Sequence, residues 1–399
     1  MYPIPEPRLI PARTQKVVAW WPQSLDPLKA GVRMRCLTPL TALVREGVEV
    51  ELYDPAREAR YCSVIVQAWS VFNTARNALS PDAMLDSVAR MKRRGIRIVV
   101  DNCDNQFYNP RNDAEWDLQL VRLRKLLAMA DQLVCATEAL ADVTREQGFS
   151  QPIAVVGDAV EDAADLMPGE SWARRHLNPK RWPAKRRALH HASWLRYWRQ
   201  RGHLPLVWFG NHGVGFADGG MSDLAQLRSQ LHRAHERCPV SLTVISNHPD
   251  KFRELFSDWE IPHRYLAWDR TTFLDVLRLH EVALIPVRDN PFTRCKSGNR
   301  VATALNEGLS VVADPIRSYQ AFAGFGRFNG FDGELADFLL DAPGRAAAVA
   351  AGQNYVALEC SHARIASQWR QLINFELLQW SQQSDLVVRP ARFGRIMCV

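Results

Sequence analysis

The sequence predicts an α/β protein made of two doubly wound, Rossmann-like domains. Three observations carry that expectation. Short, β-branched and almost continuously apolar runs recur along the chain, as in strands buried on both faces of a parallel sheet. Helical patterns of about 10–15 residues separate them, which is the spacing of right-handed βαβ units. The runs form two series on either side of one basic, proline-containing stretch. The 399 residues suit two or three domains at about 100–200 residues each.

The first series reads VVAWWP (17–22), VEVELYD (48–54), CSVIVQAW (62–69), IRIVVDN (96–102), QLVCATE (132–138) and IAVVGDA (153–159). Between them lie LTPLTALVREG, whose final glycine suits a helix C-cap, then PDAMLDSVARMKRRG and AEWDLQLVRLRKLLAMA. The second series reads LPLVWFGN (204–211), SLTVISN (241–247), HRYLAW (263–268), EVALIPV (281–287) and LSVVAD (309–314). Its helical patterns are SDLAQLRSQLHRAHERC, PDKFRELFSDW, TTFLDVLRLH and NRVATALNEG. Residues 361–383 read as a long amphipathic helix, with Ile365, Trp369, Leu372 and Phe375 at 3–4 spacing. The expected organisation is an N-terminal domain over 1–165, a basic connector over 166–203, a C-terminal domain over 204–360, and a helix and tail over 361–399.

Composition narrows the class. Hydrophobic residues are 47% and charged residues 23%, which fits a globular protein and excludes extended disorder. No run approaches the ~18 apolar residues of a membrane helix, and the start lacks the apolar core of a secretory signal. Eight cysteines are scattered with no C-x-x-C pair. That argues against a disulfide framework or structural zinc and for a reducing, cytoplasmic setting. The net charge of +7 is concentrated: residues 171–203 hold 10 Lys/Arg and no acid, leaving 40 basic against 43 acidic groups elsewhere.

In paired open sheets, ligands bind beyond the carboxyl ends of the strands. After LPLVW comes Phe209-Gly210-Asn211-His212-Gly213-Val214-Gly215. Such glycines let a backbone approach a ligand, and a following helix N-terminus attracts phosphate. A plain tight turn fits the same residues, and neither G-x-G-x-x-G nor a Walker lysine is present. After EVALIPV comes a polar run through Asn290 and Lys296-Ser297-Gly298-Asn299-Arg300, then a helix. Ser297 or Asn299 is a candidate cap, and Lys296 and Arg300 bracket it. Cations beside free backbone N–H groups suit a diphosphate; a solvated loop is the bland alternative.

That segment, through GLSVVADPIRSY, resembles the donor-nucleotide segment of the retaining glycosyltransferases with the GT-B fold (family 4), typified by bacterial polysaccharide and lipopolysaccharide transferases. The shared pattern is strand, polar loop, K-S-x-N-R, helix, then G-L-x-V-V-A. Gly31-Val32-Arg33-Met34-Arg35 resembles the loop that faces the acceptor, and QLVCATEAL with IAVVGDAVE resembles the last strands of the N-terminal domain. The likeness spans roughly residues 17–320. It implies a donor site of Gly210, Asn211, His212, Gly213, Asn290, Lys296, Ser297, Asn299, Arg300 and Thr303. The family's paired glutamates fall at Cys295 and Thr303, neither acidic. The arginine and lysine that usually follow the glycine loop are also absent, and the proline-asparagine-glycine turn reads Gly157-Asp158-Ala159.

Asp101-Asn102-Cys103-Asp104-Asn105 follows IRIVV directly. Asp101 or Asp104 at a strand's carboxyl end would face an interdomain cleft, as base toward an acceptor hydroxyl or as a positioning group; an Asx turn explains them equally. The expected acceptor set is Gly31, Arg33, Arg35, Asp101, Asp104 and Asn105, and the expected catalytic set is Asp101, Asp104, Lys296 and Arg300. No metal and no cofactor are expected, only a nucleotide-diphosphate sugar as donor substrate. His212 is the one histidine in a ligand loop; His190 and His191 read as surface.

The basic stretch interleaves its cations with Trp172, Trp182, Trp194, Tyr197 and Trp198. It fits an interdomain connector, an anionic membrane surface with a lipid-linked acceptor, or nucleic acid. The expected activity is transfer of a hexosyl or pentosyl unit to an acceptor hydroxyl: saccharide, lipid-linked saccharide or nucleic acid, the last as in phage-type DNA base glycosylation. The alternative is a GT-B-derived binding protein without catalysis. The expected location is the cytoplasm, peripheral on the inner membrane face if the basic stretch binds lipid.

Overall fold

The computed structural model describes residues 17–72, 79–167, 170–213 and 219–373. All eleven expected strands form. The first sheet holds β1 (Val17–Trp21), β2 (Val50–Leu52), β3 (Tyr61–Gln67), β4 (Arg97–Asn102), β5 (Gln132–Cys135) and β6 (Ile153–Val155). Its order is β2-β1-β3-β4-β5-β6, parallel throughout. The second holds β7 (Leu204–Phe209), β8 (Val240–Ser246), β9 (His263–Ala267), β10 (Val282–Ile285) and β11 (Ser310–Ala313). Its order is β11-β10-β7-β8-β9, again parallel. Every residue of β3, β8, β10 and β11 is buried. Helices cover both faces of each sheet, so even the polar residues of these strands, such as Ser241 and Thr243 of β8, are buried.

Local chemistry sets the helix ends. Helix α1 (Thr38–Arg45) is followed by Gly47 at φ 78°, the left-handed geometry a helix stop favours in glycine. Helix α2 (Pro81–Arg93) starts at Ser80, whose hydroxyl accepts from the Ala83 N–H, and α3 (Ala114–Met129) starts at Asp113 in the same manner. Thr137 caps α4 (Glu138–Glu146). The later helices that matter for the site are α5 (Trp182–Arg199), α6 (Arg228–Arg237), α7 (Pro249–Phe256) and α8 (Asn299–Asn306).

The basic stretch is helical, and α5 packs on the second sheet. Its inner stripe is Ala184, Ala188, His191 and Leu195. His191 is therefore buried, not on the surface as the sequence suggested; only His190 is exposed. A stripe with a histidine at core spacing reads as polar until a partner is known. Here the partners are His280 and Thr243, with the His191 Nε2 at 3.3 Å from the threonine hydroxyl. Trp194 and Trp198 are half-buried beside this stripe, while the Trp172 side chain lies outside the described residues.

The chain returns to its first domain at the end. Helical residues 362–373 bury Ile365, Trp369, Leu372 and Ile373 among Val18, Trp20 and Leu43. The Trp20 and Trp369 rings lie 4.6 Å apart. Phe375 and the rest of the expected helix lie outside the described residues, as do Val214 and Gly215 of the glycine run. Among the described residues, no helix is long and apolar enough to cross a membrane, and the cysteines are free thiols.

Candidate functional site

Strand order reverses between β1 and β3 in one sheet and between β7 and β10 in the other. The crevices beyond those strand ends are where such sheets bind ligands. The loops that emerge there carry nearly all the expected site residues, and they meet each other across the two domains.

On the N-terminal side the charges are already paired. Residues 33–37 form a π-helical turn that buries Arg33 and Arg35. Arg35 donates to Asp101 at 2.6 Å, to Asp158 at 3.1 Å and to the Val156 and Gly157 carbonyls at 2.6 and 2.9 Å. Burial works against its charge, but Asp101 and Asp158 outweigh it and its pKa rises. Burial pushes the Asp101 carboxyl up, against the pull of Arg35. Arg33 grips Glu161 through two nitrogens and the Pro27 carbonyl at 2.7 Å. The expectation that Arg33, Arg35 and Asp101 present themselves to an acceptor is thus corrected. Their hydrogen-bonding capacity is spent internally, and Asp101 is 2% exposed. Gly31 has a backbone role: its carbonyl accepts from Gln67 at 3.0 Å, and a Cβ there would approach Gln23 at 3.3 Å.

Asp104 is the acceptor-side carboxylate that stays partly exposed. It accepts from the Trp69 indole at 2.9 Å and from Lys296 of the other domain at 2.5 Å. Three more contacts bind the same seam. Ser297 donates to Asp158 at 2.6 Å, Asn105 to the Pro291 carbonyl at 2.9 Å, and Thr137 to the Cys295 carbonyl at 3.0 Å. Cys295 packs on Cys135, Leu140 and Ala141, and burial pushes its thiol up to about 12. It is a packing residue between domains.

The capping expectation for Ser297 and Asn299 is also corrected. Gly298 occupies the N-cap of α8, with no side-chain cap. Ser297 turns to Asp158, and the Asn299 amide lies 3.3 Å from the Met34 sulfur. Gly298 is required by packing, because a Cβ would meet Phe322 at 2.6 Å. The first-turn N–H groups of α8 therefore have no side-chain oxygen, and Lys296 and Arg300 flank them. Asn290 shapes the loop instead of facing a ligand: its Oδ1 accepts from the Phe292 and Thr293 N–H groups at 3.0 and 2.9 Å. Thr303 is buried on α8, and Glu307, one turn on, is paired with Arg278 at 2.7 Å.

In the glycine run, Gly210 and Gly213 lie at φ 159° and 134°. A Cβ on Gly210 would stand 3.6 Å from an Arg300 nitrogen, so Arg300 reaches this loop from α8. Asn211 is exposed. The His212 ring lies 4.7 Å from that of His248, and burial, His248 and Lys251 lower its pKa. Lys251 of α7 donates to the His212 carbonyl at 2.9 Å. Arg288 sits 3.4 Å from Asp223, whose carboxyl burial pushes up. Lys251 and Arg288 come from other strand ends, Lys251 bonded to the glycine loop and Arg288 paired with Asp223. Both were overlooked, although each lies just past a strand, in NHPDK and PVR, where ligand loops belong. Asp158 and Glu161 gave no comparable signal.

No family model matches the sequence, and no curated protein sequence matches it. Solved structures do match in three dimensions. HepE from Anabaena, solved with UDP and glucose, superposes with a TM-score of 0.57 over 90% of this chain and 100% of its own, at 12% identity. An α,α-trehalose-phosphate synthase (UDP-forming) from Burkholderia vietnamiensis gives a TM-score of 0.56 over 91% of this chain and 97% of its own, at 11% identity. The chain has the GT-B fold. At these identities the likeness carries the architecture and leaves the chemistry to the residues.

One group of metal-type ligands occurs among the described residues, Asp162, Asp165 and His362, with ligand atoms within 4.8 Å. His362 lies 2.7 Å from Asp165, which also accepts from the Asp162 N–H at 2.8 Å, and the Asp162 carboxylate caps the next turn through the Asp165 N–H at 2.9 Å.

Proposed function

We propose that this protein is a metal-independent glycosyltransferase that moves a sugar from a nucleotide-diphosphate sugar to an acceptor hydroxyl. The observation that carries the reading is the group of cations around two kinds of free backbone at the β7/β10 crevice. Arg300 and Lys251 reach the glycine loop, Lys296 and Arg300 flank the uncapped start of α8, and Arg288 stands behind them, paired with Asp223. Charge plus oriented N–H groups is a diphosphate site.

In the reaction, the bond from the acceptor oxygen to the sugar C1 forms as the bond from C1 to the diphosphate oxygen breaks. The negative charge that grows on the departing phosphate is met by Arg300 and Lys296, which is electrostatic catalysis. Lys296 can serve that charge only by leaving Asp104. The same exchange frees Asp104 to accept the proton of the acceptor hydroxyl. Asp101, with its lone pairs given to Arg35, is not assigned that step. The resemblance to family 4 implies net retention; the scattered cysteines point to a cytoplasmic location, and the likeness to HepE solved with UDP supports a UDP-type donor.

A non-catalytic binding protein is the second reading, favoured by Cys295 and Thr303 at the family's acidic positions. The two readings separate in one experiment. UDP-, GDP-, ADP- and TDP-sugars are tested for thermal stabilisation and then for turnover. A ligand at 100 times its Kd stabilises the native state by about 2.7 kcal/mol. The transferase reading expects a shift with one donor and release of its nucleoside diphosphate. A shift without release supports the binding protein, and no shift with any donor ends both.

A further inference from the structure

The outer face of α5 combines exposed apolar side chains with arginines. Its inner stripe is held by the second sheet, which fixes what points outward. At 3.6 residues per turn the opposite stripe holds Trp182, Arg186, Leu189, Ser193, Arg196, Tyr197 and Gln200. Trp182, Leu189 and Tyr197 are 64%, 68% and 47% exposed. Single exposed apolar residues are ordinary; three along one helix stripe, alternating with arginines, are not. Arg186, Arg187 and Arg196 meet no carboxylate among the described residues, and the sequence has no acid between Glu170 and Asp218. Exposed Leu177 and Arg174 lie on the short helix just before α5.

We propose that α5 is a peripheral membrane-docking helix for an anionic lipid surface. Arginines attract the headgroup phosphates, while tryptophan, tyrosine and leucine enter the headgroup and acyl boundary. The leucines decide against nucleic acid. A phosphate backbone rewards the arginines and bases reward the aromatic faces, but neither rewards an exposed aliphatic side chain. Arginine stems can cover apolar surface of this kind while their heads stay in water. This docking rests on α5 alone, so its failure leaves the donor-site reading intact.

The test is sedimentation of the full chain with vesicles of phosphatidylcholine alone or mixed with phosphatidylglycerol. The chain is expected to bind only the mixed vesicles, less so as salt rises. R186A/R196A lowers binding about thirtyfold, from about 1 kcal/mol for each arginine. W182S/L189S lowers it at least tenfold with every charge kept. Both pairs point to solvent, and an unchanged melting temperature confirms that each variant is folded. Three results overturn the proposal: no binding to mixed vesicles at low salt, undiminished binding by W182S/L189S, or tighter binding to a DNA oligonucleotide than to the vesicles.

Discussion

The two strand-end crevices share a topology and use charge in opposite ways. At the first, Arg33, Arg35, Asp101, Asp158 and Glu161 close on each other as buried ion pairs. At the second, Lys251 and Arg300 face a glycine loop and a helix start, and neither has a carboxylate within ion-pair distance among the described residues. A cation whose donors are spent on buried carboxylates rigidifies a domain. A cation aimed at open backbone is available to an anionic ligand. Cations of similar placement in the fold thus divide into structural and ligand-facing groups by what surrounds them.

The sharpest test of the structural half is Arg35→Ala. It strands Asp101 and Asp158 in the interior, and breaking a buried pair costs about 3–5 kcal/mol. Urea denaturation should show that loss; a loss under about 1 kcal/mol would mean that Arg35 is replaceable and the first crevice is not locked. The ligand-facing half predicts the reverse for Lys251→Ala. Stability should stay within about 0.5 kcal/mol. Affinity for the donor nucleotide should fall by about 10- to 100-fold, the worth of one charge-assisted hydrogen bond, as read by calorimetry.

A third test uses the neutral polar group buried under α5. His280 Nδ1 donates to the Val276 carbonyl at 3.0 Å, and its Nε2 accepts from Thr243 at 2.8 Å. Burial, and for His191 the neighbouring His280, hold the pKa values of His191 and His280 down at about 3 and about 4. The unfolded chain binds protons near pH 6.5 while the folded one does not, so the unfolded state holds more protons below that pH. Stability therefore falls as pH drops from about 6.5 toward 4, by up to about 1.4 kcal/mol per pH unit for each histidine. His280→Asn should flatten the slope of stability against pH; an unchanged slope would place the acid sensitivity elsewhere.

The smallest effect belongs to the seam. Lys296 and Asp104 are partly exposed, so Asp104→Asn should cost at most about 1 kcal/mol of stability. In a transferase the same change should lower kcat far more than it changes KM for the donor. Equal loss in both would assign Asp104 to donor binding instead of proton transfer.

Much of the fold is legible in the order of residues because burial on two faces leaves a local trace. Most strands read as short, largely apolar runs, although β2 and β9 carry charged residues, and Gly47, Gly95 and Ser80 mark helix ends where they fall. The glycine loop is legible because it directly follows β7, and the Lys296–Arg300 segment because it lies between β10 and the start of α8. What misled were residues whose meaning depends on a distant partner. Arg35 and Asp101 are 66 positions apart, and Lys296 and Asp104 are 192. Ser297 looks like a cap until Asp158 draws it away. His191 looks solvent-facing until Thr243 and His280 take its polar atoms.

The sequence by itself determined two parallel-sheet domains, the crevices in which ligands would lie, and the concentration of positive charge at one helix. Only the tertiary structure decided which cations are consumed by carboxylates, which stay available, and which stripe of α5 meets solvent. Hydrophobic burial is periodic along the chain and can be read from it. Charge pairing joins atoms brought together only after the chain has folded.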